Sequence, residues 1–376
     1  MFLALRELSF ARGRFALMGS VVALIAVLMV LLSGLSVGLV NDGVSGLKKL
    51  EVSSFAFKSG VDKSAAFTRS IVDTEAADVW AGADGVAESA PFGLTLVNTR
   101  TDRGVDVDLA LFGVEADSWL VPRAAIGRDL AGPDQVLLAG TLEDAGVAVG
   151  DVIEVDQLGR ELEVVGFLDG QHTFGHVDVG YVDLRTWQEI RAGIRPGEEA
   201  PDHVHREVTA IAVLNEDGGE PDFAAVDEAA GTTSMTLEES FGASPGYTAE
   251  LTTVQMIQWF LYAISALVVG AFFTVVTIQR RQEIAVMRAM GASTGYLLRD
   301  SLIQSVILLL VATAAGMGIG LLLGVSLSAS EMPFALDVSA VTVASVFLVL
   351  LGLIGAAFGV VRVTRVDPLT ALGASR

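Results

Sequence analysis

The chain has 376 residues, no cysteine and a formal net charge of −21. Its mean hydropathy of +0.57 is too high for a protein that is soluble throughout, so part of the chain must lie in lipid. Without cysteine, it forms no disulfide, no thiolate metal site and no lipid-anchored cysteine.

The first apolar segment covers residues 15–40 and contains no charged residue over 26 positions. About 20 residues, at a rise of about 1.5 Å each, cross a hydrocarbon layer of about 30 Å. The alternative is a secretory signal, whose apolar core of about 7–15 residues ends at a small-residue cleavage site. This segment is longer and lacks a clear cleavage site, so we predict a first transmembrane helix.

Three further apolar segments, residues 251–278, 302–327 and 338–361, are also long enough to span a membrane. Four spans place both termini on the same side. We therefore predict a multi-pass α-helical membrane protein with four transmembrane helices and an inserted α/β (α+β) domain at residues 41–250.

The charge distribution predicts the orientation, because lysine and arginine near helix ends mark the cytoplasmic side. Residues 41–250 hold 14 basic and 39 acidic residues, a net charge of −25. The other basic residues lie near the remaining helix ends: Arg6, Arg12, Arg14, Arg280, Arg281, Arg288, Arg299, Arg362, Arg365 and Arg376. We expect segments 1–14, 279–297 and 362–376 in the cytoplasm and the acidic domain outside a bacterial plasma membrane.

Glycines recur at intervals of four in the predicted spans, a spacing that lets helix backbones approach closely in lipid. They are Gly34, Gly38, Gly316, Gly320, Gly324, Gly355 and Gly359. Residues 34–38 also match the G-x-S-x-G pattern of a serine-hydrolase elbow, which needs a strand, a sharp turn and a helix. Inside a continuous apolar helix the pattern predicts packing instead.

The acidic domain shows hydrophobic alternation and capping signals of a mixed α/β fold. A short helix is expected between residues 135 and 151, a turn at Gly159 and an N-cap at Asp183. The other predicted elements are a helix near Ala66–Trp80, strands around Val152–Val155, Leu162–Phe167, 180–184 and Val208–Leu214, and helices around Arg185–Ala192 and Phe223–Ala230.

No catalytic or metal site is indicated in this domain. His172 and His176 are four residues apart, but Gly170 and Gly175 argue against a helix there, and His203 and His205 have no evident second ligand pair. We therefore expect both pairs at the solvated surface. Since the chain has no G-x-x-x-x-G-K-[ST] motif, it is not by itself a P-loop ATPase.

The most specific motif is QRRQEIAVMRAMGAS at residues 279–293. Gly291 is suited to end one helix and Ser293 to cap the next. The segment resembles the R-x-x-E-I-[GA]-x-x-R-A-x-G-A signature of MacB/FtsX-like ABC transporter permeases. The amphipathic N-terminal segment 1–14 and the ending with Arg365, Pro368, Ala371 and Leu372 resemble the same family, over nearly the whole chain.

The resemblance implies a permease homodimer in membrane lipid, with a pair of separate cytoplasmic ABC ATPase subunits that bind ATP beneath the connector. This chain would then be no enzyme, carry no cofactor and bind no nucleic acid. Movement would reach the outer domain mechanically along continuous helices. The resemblance assigns coupling to the ATPase to Arg280, Glu283, Arg288 and Gly291.

Within the family the chain looks most similar to haem-exporting, HrtB-like permeases. Glu51 supplies a carboxylate that would ligate haem iron, and two facing copies would clamp one flat ligand. The other candidates are Phe55 and Phe57 for porphyrin packing, Lys48 and Lys49 for the propionates, and Gln255, Gln258, Trp259 and Tyr262 at the outer end of the second span. The alternative is that these residues only anchor and pack helices at the membrane interface.

Three kinds of function stay open on sequence alone. An exporter of haem or another amphiphile (an antibiotic, a peptide or a lipid) is one. An FtsX-like mechanotransmitter that activates an extracellular cell-wall hydrolase is the second. A membrane-anchored enzyme is the third, and it lacks a recognisable active site in residues 41–250.

Overall fold

The computed structural model describes residues 12–279, 286, 290, 291, 293–328 and 332–364. The chain divides into two compact units, which we call the membrane unit (residues up to 39 and from 250 onward) and the outer domain (residues 40–249). The predicted domain limits, 41 and 250, lie within one residue of those of the outer domain.

The helices are α1 (Arg12–Lys48), α2 (Ala66–Arg69), α3 (Ala76–Ala81), α4 (Thr141–Asp144), α5 (Leu184–Ala192), α6 (Phe223–Ala230), α7 (Leu237–Ser240), α8 (Tyr247–Gln279), α9 (Thr294–Ser328) and α10 (Val338–Thr364). Of these, α1, α8, α9 and α10 are long and apolar enough to cross a membrane. Together with the α/β outer domain, they confirm the predicted fold class.

Glycines bring the long helices together, as their spacing predicts. A Cβ on Gly316 would overlap the backbone of Ala23, and one on Gly320 would lie 2.8 Å from Val30. Both numbers increase together along the two helices, so α1 and α9 run parallel. The same reasoning makes α8 and α10 parallel, since Gly355 meets Ala266 while Phe347 contacts the more N-terminal Trp259.

Three other predicted glycines contact the connection between α9 and α10 instead of a helix backbone. Gly34 and Gly38 contact Phe334 and Pro333 in the connection between α9 and α10, not another helix. Gly324 of α9 contacts the same connection. The G-x-S-x-G pattern at residues 34–38 lies inside α1, which confirms that it is no nucleophile elbow.

The strands are β1 (Ser54–Lys58), β2 (Val72–Asp73), β3 (Val86–Thr101), β4 (Asp106–Val114), β5 (Ile126–Gly127), β6 (Gln135–Leu138), β7 (Val152–Val155), β8 (Arg160–Phe167), β9 (Thr173–Phe174), β10 (Val177–Asp183), β11 (Glu207–Val208), β12 (Ala210–Asn215) and β13 (Thr232–Thr236). The main sheet has the order β13-β1-β12-β3-β4-β10-β6-β8-β5, with β7 on β3 and β8 and β9 on β10. Its parallel pairs are β4 with β10 and β6 with β8.

One face of this sheet carries an aromatic core. The rings of Phe57 and Phe67 lie 5.0 Å apart and those of Phe92 and Phe112 lie 5.1 Å apart, both edge to face. Such a pair contributes about 0.5–1.5 kcal/mol beyond the burial of its area. These aromatic contacts therefore stabilise the outer domain from within.

Most of the outer-domain elements follow the prediction. Strand β7 and helix α6 have the predicted limits, Gly159 has a positive φ of 69°, and the Asp183 side chain accepts a hydrogen bond from the Arg185 N–H at the start of α5. The single helix near Ala66–Trp80 is wrong. The chain forms α2, the short strand β2 and α3 there, because Val72 and Asp73 pair with β11.

Candidate functional site

The last two turns of α1 within the outer domain are fastened to the hairpin of β9 and β10. The Ser45 and Thr173 hydroxyls lie 2.8 Å apart, and the Thr173 N–H donates to Ser45 Oγ at 2.9 Å. The Thr173 hydroxyl also donates to the Asn41 carbonyl at 3.1 Å. A buried polar network of this kind fixes the direction in which the chain leaves the helix.

Asp42 extends this network to the tip of the hairpin. Its two carboxylate oxygens contact Gln171 Nε2 at 3.0 Å and His176 Nδ1 at 2.7 Å. The hairpin can present both side chains because Gly175 and His176 adopt positive φ angles of 59° and 68°. Nearby, burial raises the pKa of Asp178, with a further contribution from the charge of Asp42, while a hydrogen bond from Thr141 opposes the rise.

Three of the predicted ligand-binding residues, Lys48, Lys49 and Glu51, come shortly after Ser45 in the sequence. Lys48 donates to Asn41 Oδ1 at 3.2 Å and its ammonium lies 5.9 Å from the centre of the Phe241 ring. Lys49 donates to the Asp169 carbonyl at 3.1 Å. The side chains of Lys48, Lys49 and Glu51 are all exposed. In the sequence, Glu51 follows the two lysines and precedes β1.

Phe55 and Phe57 are placed differently from the two lysines. Both are fully buried in the aromatic core. Strand β1 is paired on both sides, with Phe55 opposite Ala212 and Met235, so both rings face the protein interior. They offer no ring surface to an external ligand and support the outer domain instead.

The candidates on α8 form a small aromatic cluster within the membrane unit. Trp259 and Tyr262 lie 5.7 Å apart, and Phe347 of α10 is 6.4 and 6.0 Å from them. Tyr262 is buried, whereas Trp259 is 61% exposed. Gln255 is exposed and Gln258 half-buried.

The prediction that both histidine pairs lie at the solvated surface is wrong for His172. His172 is only 6% exposed. Burial, with a smaller contribution from the charge of Lys49, lowers its pKa to about 4. Its Nδ1 has no hydrogen-bond partner, which an unprotonated ring nitrogen tolerates better than a charged one. The ring is therefore neutral at pH 7.

The second histidine pair lies beside α5. His205 Nε2 is 3.9 Å from Glu189 Oε1, and His203 lines a recess of about 460 Å³ together with Arg191 and Glu207. Arg191 and Glu207 lie 3.6 Å apart. Among the residues that the structure describes, no group of three histidine or carboxylate side chains could hold a metal ion.

The predicted coupling segment is only partly within the described residues. Gly291 has a φ of 98°, as expected for a glycine that ends a helix. The Ser293 hydroxyl accepts a hydrogen bond from the Tyr296 N–H at 3.2 Å at the start of α9, which confirms the predicted N-cap. Arg280, Glu283 and Arg288 lie outside the described residues, as do segments 1–11 and 365–376.

Comparison with known proteins shows what the chain is similar to. Residues 256–368 match the family described as FtsX-like permease C-terminal. The putative hemin transport system permease protein HrtB of Staphylococcus epidermidis is 23% identical over 371 residues, which are 99% of both chains. An uncharacterized ABC transporter permease of Mycobacterium tuberculosis is 22% identical over 374 residues, again 99% of both.

Two solved structures are similar to this chain over about half its length. The extracellular domain of the ABC-type transporter YknZ from Gram-positive bacteria is 15% identical, covers 49% of this chain and 98% of its own, and has a TM-score of 0.35. The periplasmic region of MacB from Actinobacillus actinomycetemcomitans is 12% identical, with coverages of 51% and 92% and a TM-score of 0.37.

Residues 256–368, which cover most of α8 and all of α9 and α10, thus form an FtsX-like permease domain. The four long apolar helices indicate a membrane protein.

Proposed function

We propose that this permease is the membrane subunit of an exporter that expels haem from the membrane, as a homodimer driven by two separate cytoplasmic ATPase subunits. The observation that carries the proposal is the set of three exposed charged side chains where α1 ends, Lys48, Lys49 and Glu51. A relative that aligns with 99% of this chain is named a putative hemin transport system permease protein.

The chemistry of these three side chains fits haem as cargo. A carboxylate oxygen is a ligand for ferric iron, and ammonium groups pair with the two propionates. Lys49 is already held by the Asp169 carbonyl, so its position is fixed before a ligand arrives. Phe55 and Phe57 are buried and are therefore not part of the proposed site. The site consists of Lys48, Lys49 and Glu51 from each of the two copies in the homodimer.

The exposed indole of Trp259 supports the entry of an apolar ligand from lipid. In the membrane unit it extends the cluster with Tyr262 and Phe347 to the surface of α8. Aromatic rings in this geometry pack well against a flat conjugated ligand. We propose that Trp259 forms part of the surface on which haem is taken up.

The movement that expels the ligand is proposed to be mechanical. Helix α1 is helical from Arg12 to Lys48, with a kink at Val44 (φ −147°, ψ 16°). Helix α8 runs from Tyr247 to Gln279. Because α8 joins the predicted connector to the outer domain as one helix, a displacement of the connector is proposed to pass outward along α8, while α1 bends at Val44.

The test is a haem titration of the purified full-length permease with and without its ATPase. We expect a shift of the haem absorption spectrum that is lost in Glu51→Ala, and haem-stimulated ATP hydrolysis. Glu143→Ala, which removes another exposed carboxylate of the outer domain, serves as the control. An unshifted spectrum with the natural chain, or a shift retained by Glu51→Ala, contradicts the site. Stimulation by a peptide or lipid instead of haem would identify a different cargo.

A further inference from the structure

The connection between α9 and α10 is seated on helix α1. A Cβ on Gly34 would overlap the ring of Phe334, and one on Gly38 would overlap the carbonyl of Pro333. Gly324 of α9 meets the same ring and Leu336, at 3.2 and 2.9 Å from its Cβ position. We call residues 333–336 the clasp.

Two further contacts hold the clasp in place. The Ala335 N–H donates to the Gly34 carbonyl at 3.1 Å, and the Phe334 side chain is buried although it belongs to a short connection. Immediately after the clasp, the Asp337 carboxylate accepts hydrogen bonds from the Ser339 and Ala340 N–H groups at 2.6 and 3.0 Å. The clasp thus passes directly into a capped helix.

The arrangement differs from ordinary glycine-mediated packing of helices. Small residues four apart usually admit the backbone of another helix, as Gly316 does for Ala23. Gly34 and Gly38 admit a non-helical segment and an aromatic ring instead. The ring occupies a socket formed by glycines from α1 and α9, so it contacts two long helices at once.

The position of the clasp in the chain points to a role in transmitting movement from α9 to α1. Helix α9 begins directly after Ser293, next to the predicted coupling segment, and the clasp follows its far end. Helix α1 continues beyond Gly38 to Lys48, within the outer domain. A movement that enters α9 at the connector therefore meets α1 at the clasp before it reaches the outer domain.

We propose that the clasp makes α1, α9 and α10 move as one body during the transport cycle, and that Phe334 is the positioning residue of this contact. The proposal rests on the proposed ATP-driven function. Packed interfaces have discrete arrangements and transmit a displacement as a unit. Without the ring, the far end of α9 loses this contact with α1, and the contacts of Gly316 and Gly320 with α1 have to hold the two helices together alone.

The absence of cysteine makes the proposal directly testable by spin labelling. One cysteine is introduced into the full chain at Glu143→Cys, an exposed position of the outer domain, so that the labels on the two copies of the homodimer report one distance. This distance is measured in the complex with the ATPase, without nucleotide and after trapping with vanadate. We expect the distance distribution to shift with nucleotide, and Phe334→Ala to reduce the shifted fraction by at least about two-fold.

Matched variants separate a positioning role from a loss of folding. Phe358→Ala removes a ring that is 74% exposed on α10 and should keep the full shift. Gly38→Ala retains Phe334 but pushes Pro333 off the helix, and it should reduce the shift as Phe334→Ala does. ATP hydrolysis that stays within about two-fold of the natural rate shows that the complex is assembled.

The outcomes distinguish this proposal from the function on which it rests. A nucleotide-dependent shift that Phe334→Ala and Gly38→Ala leave unchanged overturns the clasp alone. If the natural chain shows no shift in the complex, both the clasp and the ATP-driven function are wrong. A reduced shift in both variants, with retained hydrolysis, supports the proposal.

Discussion

His176 Nδ1 lies 2.7 Å from Asp42 Oδ2, and this pair joins the last turns of α1 to the tip of the β9 and β10 hairpin. The two residues are 134 positions apart in sequence. The same carboxylate accepts a hydrogen bond from Gln171. A single side chain on the helix thus holds both sides of the hairpin tip.

Asp42→Ala should lower the free energy of unfolding by about 0.5–1.5 kcal/mol, because it removes the hydrogen bonds that join α1 to Gln171 and His176. The measurement is thermal or denaturant unfolding of the full-length protein. Asp42→Asn should retain part of the effect, since one oxygen can still accept. Asp84→Ala, at an exposed carboxylate, is the control and should change stability little. Equal stabilities of the Asp42 and Asp84 variants would mean that the network contributes nothing.

The buried His172 predicts a specific loss of stability in mild acid. Its folded pKa of about 4 lies below the ordinary value of 6.5, so between these values the unfolded chain binds more protons. The free energy of unfolding therefore falls as the pH drops from about 6.5 towards 4, by about 1–3 kcal/mol from this residue. Above pH 6.5 His172 contributes no pH dependence.

This prediction is checked by unfolding at pH 7 and pH 5 for the natural chain and for His172→Gln. The variant cannot titrate at this position, so its stability should fall less between the two pH values. His203→Gln, at an exposed histidine, should behave as the natural chain does. An equal fall in His172→Gln and in the natural chain would show that the ring becomes charged without penalty.

The outer domain illustrates what sequence patterns reveal and what they miss. Strand β7 is predicted to the residue because Val152 and Val155 lie in a short apolar run bounded by turn residues. The burial of Phe55 and Phe57 is missed because it depends on β12 and β13, more than 150 residues away. An alternating segment does not reveal whether its second face is covered.

The same limit applies to the candidate site. The exposure of Lys48, Lys49 and Glu51 is expected from sequence because charged groups at the end of a helix stay in water. The buried state of His172 is not, since it depends on the position of Lys49 and of the hairpin relative to α1. Gly170 and Gly175 correctly predict that residues 170–176 form no helix. They do not predict that the His172 ring is buried.

Trp259→Ala should weaken the uptake of haem about 2–10-fold, equivalent to about 0.5–1.5 kcal/mol for one aromatic contact. The measurement is haem binding to the permease in lipid nanodiscs. Trp259→Phe should restore most of the affinity, because a ring remains beside Tyr262. Phe260→Ala removes an adjacent exposed ring and is the control. An effect of Phe260→Ala as large as that of Trp259→Ala would indicate general binding to an apolar surface.

Gly316 and Gly318 offer a matched pair on one helix. A Cβ on Gly316 would overlap the Ala23 carbonyl, whereas a Cβ on Gly318 would have no neighbour within 4 Å. Gly316→Ala should therefore force α9 away from α1 and lower stability by about 1–3 kcal/mol. Gly318→Ala should be neutral or slightly stabilising, because alanine is the better helix former.

The comparison is made by thermal unfolding of both variants in the same detergent. Because the substitution is the same and both sites lie in α9, the difference between the variants reports the contact with α1 alone. If both variants melt at the same temperature, the close approach of α1 and α9 at Ala23 is not a feature of the protein in solution. A lower melting temperature for Gly316→Ala alone supports the close approach of α9 to α1 at Ala23.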